Sequence, residues 1–222
     1  MRCSAIAIVA TAALLMLSAC NQGFRSGGQS VDPNSNPWFA AAASNDPAAL
    51  TAAAASNADV NAHQRRDYNT PLHIAAAAGN TQAVRELLAK GAKADVLDED
   101  GRTPLMIASH RSRTPAALEL VGGSVNLDTR DRQQQTALMF AAKNGNVDVV
   151  RAMIAKRAAL DTQRADGSTA LHLAVRDGRT DVVRELKNAG ASTVLRDRRG
   201  RSAMDIALSG GRTTEATLLG GS

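Results

Sequence analysis

The chain has 222 residues, a formal net charge of +5, 44% apolar residues and only 2% aromatics. So few aromatics argue against a surface that stacks nucleic-acid bases, and two cysteines are too few to define a redox compartment. An apolar share carried by Ala and Leu suits helices packed closely together.

From the N-terminus, Arg2 precedes an apolar stretch from Ala5 to Leu17. That stretch is too short for a membrane span, which needs about 20 residues, and has the layout of an export signal. Its ending, Leu17-Ser18-Ala19-Cys20, resembles the bacterial lipoprotein box. The resemblance implies cleavage before Cys20, a diacylglyceryl group on its sulfur and acylation of the new amine. Each buried methylene contributes about 0.8 kcal/mol and stable attachment needs more than one chain, a condition three chains meet. Asn21, not Asp, follows the cysteine, which by the enteric sorting rule points to the outer membrane. Residues 1–19 are thus expected to be a signal peptide, and 20–36 the lipidated cysteine with a flexible tether (Gly23, Gly27, Gly28, Pro33). As a Gly-rich coil the tether would sample roughly 20–25 Å. Cys3 leaves with the signal, so no free thiol remains. Losing Arg2 takes the charge from +5 to +4. The expected location is the cell envelope, facing the periplasm.

Beyond the tether a phrase returns every 33 residues: Thr70, Thr103, Thr136, Thr169 and Ser202 open TPLHIA, TPLMIA, TALMFA, TALHLA and SAMDIA. In the unit from 70, Thr70-Pro71 opens a helix with proline where its missing N–H costs little. Leu72, Ala75 and Ala76 mark one face, and Gly79 is placed to end the helix left-handed. Val84, Leu87 and Leu88 predict a second helix closed at Gly91, and a turn-rich loop follows to Gly101. A period of this kind means stacked units that bury their apolar faces against neighbours and need caps at the ends.

The pattern resembles the ankyrin repeat, with its T-P-L-H-x-A phrase, glycine and V-x-x-L-L-x-x-G-A run. The fold class implied is an all-α ankyrin-repeat solenoid over 37–222, with units at about 37–69, 70–102, 103–135, 136–168 and 169–201 and a truncated cap at 202–219. In the first unit Trp38-Phe39-Ala40 stands in for the opening phrase, and Asn57-Ala58-Asp59-Val60-Asn61 is similar to the family's G-A-D-V-N. The third unit has Ser112 and Ser124 where glycines belong, and its second helix is expected to start late, at Thr114-Pro115. Trp38 with Phe39, and Leu218 with Leu219, are expected to cover the ends. Lys187 stands where sister units have Leu88, Val121 and Ile154, and is expected to snorkel from the core edge.

No pattern of catalytic, metal-ligating or cofactor-binding residues emerges. His73 and His172 occupy the phrase's own histidine position, which the resemblance makes structural, bonding between repeats. His63 and His110 lack cysteine neighbours and H-x-x-H spacing. No G-x-S-x-G, Walker-type or G-x-G-x-x-G motif occurs. Asp95, Asp98, Glu99 and Asp100 lack the spacing and the terminal glutamate of a calcium loop, and are expected to be solvated tip charges.

In ankyrin proteins the binding face usually combines loop tips with the exposed side of the first helix, on the concave side. Here one row of that face reads Ala77, His110, Lys143, Arg176, and the next includes Arg111. The tips supply Arg132, Arg198 and Arg199, the positions before the phrase Arg102 and Arg201, and the first loop Arg65, Arg66 and Tyr68. Such a basic surface would steer and anchor an acidic protein. The expected function is therefore non-covalent protein binding by a monomer held at a membrane through Cys20, with no enzymatic activity, cofactor or nucleic-acid partner. The alternatives are a small-ligand or metal-binding envelope protein using His110, and an envelope stress or immunity scaffold.

Overall fold

The computed structural model describes residues 30–32 and 35–220. Cys20 and the signal-peptide reading lie outside the described residues. Among them are twelve helices in six pairs. The first helices of the pairs are α1 (Pro37–Ala43), α3 (Pro71–Ala78), α5 (Pro104–His110), α7 (Ala137–Asn144), α9 (Ala170–Arg176) and α11 (Ala203–Ser209). The second helices are α2 (Pro47–Ala55), α4 (Thr81–Ala89), α6 (Thr114–Gly122), α8 (Val147–Ala155), α10 (Thr180–Asn188) and α12 (Thr213–Gly220). Each helix packs on its own pair-mate and on its counterpart in the adjacent pair, giving two stacked layers. No helix among the described residues is long and apolar enough to cross a membrane.

From α5 onward the phrase residue starts each first helix by satisfying an orphan backbone donor. The hydroxyls of Thr103, Thr136, Thr169 and Ser202 accept from the N–H of Met106, Met139, His172 and Asp205. Leu72, Leu105, Leu138 and Leu171, one turn in, are at most 2% exposed. Beside them Ala75, Ala108, Ala141 and Ala174 are wholly buried, and their small side chains let neighbouring helices approach closely. On the second helices Leu87, Leu120, Met153 and Leu186 close the core. Each such side chain contributes about 1.5–3 kcal/mol by burial. Trp38 and Phe39 are buried at the N-terminal end, as is Leu219 at the other.

Several details depart from expectation. α6 begins at Thr114 as expected, but that start is not late: it lies 33 residues after Thr81, in strict register. What differs there is the turn before it, where Ser112 takes the left-handed conformation (φ 55°) that Gly79 adopts one unit earlier. The last pair has helices of ordinary length, seven and eight residues. The first pair runs one residue early, because Asn36 caps α1. Two residues of the tether stretch form β1 (Ser30–Val31), which pairs in parallel with β2 (His63–Gln64), Ser30 opposite His63. Lys187 is half-buried and its Nζ donates to the Leu218 carbonyl of α12 at 2.6 Å, as snorkelling predicts.

Polar ladders repeat at the same period. In one, the residue before each second helix reaches back to the end of the preceding first helix. Arg113 Nε donates to the Ala77 carbonyl, Arg179 Nε to Lys143 and Arg212 to Arg176, at 3.0–3.4 Å. Those arginines lie against Gly79, Gly145 and Gly178, where an added Cβ would come within 2.8–2.9 Å of the guanidinium arm. Where the glycine is Ser112, the reaching residue is the shorter Asn146, which donates to the Ser109 carbonyl. Glycine and arginine thus occur as a matched pair. In a second ladder Asp95, Asp128 and Asp161 each accept the N–H of the residue 31 further on, at 2.8–2.9 Å. In a third, the backbone of each loop tip donates to the tip before, as in Arg132 N to Asp100 O and Arg198 N to Asp166 O.

Candidate functional site

His73 and His172 belong to the stack. Each is buried, and its Nδ1 accepts from the N–H of Thr70 or Thr169 at 3.1 and 3.3 Å. That fixes the tautomer in which Nε2 donates to the carbonyl of Arg102 or Arg201 in the next unit's loop. Burial lowers the pKa of both below the ordinary histidine value. They are neutral connectors between repeats.

The expected tip acids divide. Asp95, Glu99 and Asp100 are exposed, but Asp98 is buried, which corrects the reading of all four as solvated. Asp98 Oδ1 accepts the N–H groups of Asp100 and Arg102 at 2.9 and 2.8 Å, and Oδ2 holds the Arg102 guanidinium at 3.0 Å. Asp131 and Asp197 fold their loops in the same way. At Asp197, burial acts to raise the pKa, but hydrogen bonds from Arg201 and Arg199 outweigh it and the carboxyl titrates below its ordinary value. Among the described residues no three His, Cys, Asp or Glu side chains gather closely enough to hold a metal.

Two foci of the expected binding face are left. On the first helices, His110 is exposed at the end of α5, its ring edge-on to Phe140 of the next unit at 5.2 Å. Its pKa is lowered, first by partial burial and then by the charges of Lys143, Arg102 and Arg111. Those four side chains therefore share one electropositive neighbourhood. Arg102 is neutralised by Asp98 and Asp100, and Arg176 is held by Asp177 at 3.1 Å. Arg201 is likewise clamped by Asp197. By contrast Arg111, Arg132, Lys143, Arg198 and Arg199 engage no carboxylate among the described residues.

The second focus is the first loop tip. Tyr68 is 52% exposed, stacks on His63 at 5.1 Å and is flanked by exposed Arg65 and Arg66. Its φ of 55° is unusual for a bulky residue. The matching positions of three later loops are Gly101, Gly167 and Gly200. An aromatic held there costs about 1–2 kcal/mol of backbone strain. The 33-residue register could have flagged this contrast, since Tyr68 aligns with those glycines. The register also aligned Arg113, Arg179 and Arg212, but their role in stacking requires the helix-end carbonyls that only the fold supplies.

A stack of helix pairs with shared loop geometry and an exposed row across successive units defines a repeat-built binding scaffold. The family model for ankyrin repeats (3 copies) matches the chain at residues 38–131, 114–197 and 138–219. The chain belongs to the ankyrin-repeat family, whose members typically act as non-enzymatic modules for protein–protein interaction. A comparison with curated proteins returned no match.

Proposed function

We propose that this chain binds an acidic protein partner through the loop-tip and first-helix face, while lipid on Cys20 holds it at the periplasmic side of a bacterial membrane. The observation that carries the binding reading is the division among its arginines and lysines. On the second helices Arg85 and Arg151 are matched across units by Glu119 and Glu185 at 2.9 and 2.8 Å, and Arg184 within its own helix by Asp181. On the proposed face Arg111 and Lys143 beside His110, and Arg132 at a loop tip, engage no carboxylate among the described residues, so their field is available to a partner's carboxylates. Arginine adds planar, bidentate pairing, and Tyr68 supplies the aromatic anchor that binding hot spots favour. The anchoring rests on the sequence around Cys20, with Asn21 favouring the outer membrane.

Crosslinking pull-down from bacterial envelopes tests the face, comparing the parent chain with Arg111→Glu/Arg132→Glu/Lys143→Glu. These side chains are exposed or half-buried and unpaired, so the fold should survive, which circular dichroism would verify. Loss of the captured partner is expected; an unchanged partner set overturns the reading. Labelling with a palmitate analogue tests the anchor separately, and an unlabelled chain would remove it.

A further inference from the structure

The two ends of the stack are not alike. Leu208 is 67% exposed, yet the residues at its register position, Ala76, Ser109, Ala142 and Val175, are all 0% exposed. Met204 is half-exposed, while its counterparts Leu72, Leu105, Leu138 and Leu171 are at most 2% exposed. The following helix pair covers this surface in every earlier unit. The C-terminal face is therefore shaped to receive another helix pair of the same kind. At the other end, α1 and α2 expose Pro37, Ala40, Ala43, Ala48 and Ala52, small side chains that leave room for the larger Leu208 and Met204.

Charge selects between possible occupants. No Lys or Arg occurs between Ser30 and Gln64, a stretch that carries Asp32, Asp46 and Asp59. The last loop instead carries Arg198 and Arg199 with no carboxylate partner among the described residues, beside Arg196 and Arg201 paired with Asp205 and Asp197. The back-reaching ladder sharpens this. Its members Asn80, Arg113, Asn146, Arg179 and Arg212 stack one per unit, and the residue in that position in the first pair is Asp46, the cap of α2. The Asp46 side chain has no N–H to donate to a helix-end carbonyl as the other members do, so what a first pair laid on the last would gain at this position is ionic: exposed Asp46 set beside exposed Arg212. Two C-terminal faces meeting symmetrically would instead oppose Arg212 to itself.

We propose that copies of this chain associate head to tail, the C-terminal face of one receiving the N-terminal face of the next, so that the solenoid continues across molecules. This departs from the monomer expected from sequence. Such a contact is heterologous and does not close on itself, so it builds linear arrays. On a membrane each array would multiply the binding face.

The contact of His110 in one unit with Phe140 in the next sets the test. Ser209 lies at the His110 position and Ala40 at the Phe140 position, and both are exposed. The full chain carrying Ala40→Cys and Ser209→Cys is treated with a short bis-maleimide, with the parent chain as control for Cys3 and Cys20. A ladder of dimer, trimer and higher species is expected from the double variant, and no species beyond the parent's from either single variant. Leu208→Arg should cut the ladder at least tenfold, as should Arg212→Glu, with Asp46→Arg restoring the latter. No ladder at concentrations up to about 100 µM, the Kd range of a weak contact, overturns the proposal. So does a dimer from Ser209→Cys alone, which would mean a symmetric contact.

Discussion

Gly145 and Arg179 make a quantitative case for how adjacent units are locked. Gly145 ends α7 at φ 80°, and a Cβ there would lie 2.9 Å from Arg179 Cδ. Gly145→Ala therefore does two things. It places alanine in the left-handed region, at about 1–2 kcal/mol, offset by about 0.4–1 kcal/mol because alanine restricts the unfolded chain. It also pushes Arg179 away, losing the 3.0 Å bond from Nε to the Lys143 carbonyl, about 1 kcal/mol for an exposed bond of this type. The single variant should lose about 2 kcal/mol and Arg179→Ala about 1 kcal/mol. The double variant should also lose only about 2 kcal/mol, because the displaced bond is already gone, a coupling of about 1 kcal/mol. Urea unfolding followed by far-ultraviolet circular dichroism measures this, with the m-value watched for loss of cooperativity in a repeat array. Additive losses within about 0.3 kcal/mol would refute the coupling.

The same logic predicts that Asn146→Arg is tolerated better in a Ser112→Gly background, since Ser112 keeps a Cβ where arginines elsewhere meet glycine; equal melting shifts in both backgrounds would contradict this. His73 and His172 titrate in the folded chain below 6.5, the value they take unfolded. The unfolded chain then binds more protons below that value, so stability is full above pH 6.5 and falls beneath it until the folded pKa is passed. The slope is up to about 1.4 kcal/mol per pH unit for each histidine, and a His73→Gln/His172→Gln chain should show a flatter profile in urea titrations. Asp98→Ala removes the acceptor of two backbone N–H groups in a buried turn and should cost about 2–3 kcal/mol, while Asp98→Asn, which keeps an acceptor, should cost visibly less in thermal melts. Tyr68→Gly should leave stability within about 1 kcal/mol, strain relief offsetting glycine's entropy, yet weaken partner capture at least tenfold; undiminished capture would remove Tyr68 from the binding face.

The architecture was legible because an ankyrin unit is short-range. Thr103 caps its own helix, Leu105 and Ala108 share its face, and a loop returns the chain after 33 residues. Local spacing therefore carried the helix pairs, and the family resemblance the structural roles of His73 and His172 and the row containing His110 and Lys143. The start of the third unit's second helix at Thr114 was legible too, but not that it is in register, since that rests on Ser112 adopting the left-handed turn glycine makes elsewhere. The row of basic residues was equally visible, but their charges were not.

Arg102 and Arg111 look alike in sequence, yet one is neutralised by Asp98 and Asp100 and the other is unpaired. That difference depends on which carboxylate a loop turns inward, and Asp98 is turned inward by two backbone N–H groups with no other acceptor. The glycine–arginine pairs and the exposure of Leu208 were hidden for the same reason, because each is set by the unit stacked beside it. Sequence by itself determined the repeat and its helices. Tertiary structure alone decided which outward charges are already matched, since the field of an ion depends on its nearest counter-charge, and stacking places that counter-charge.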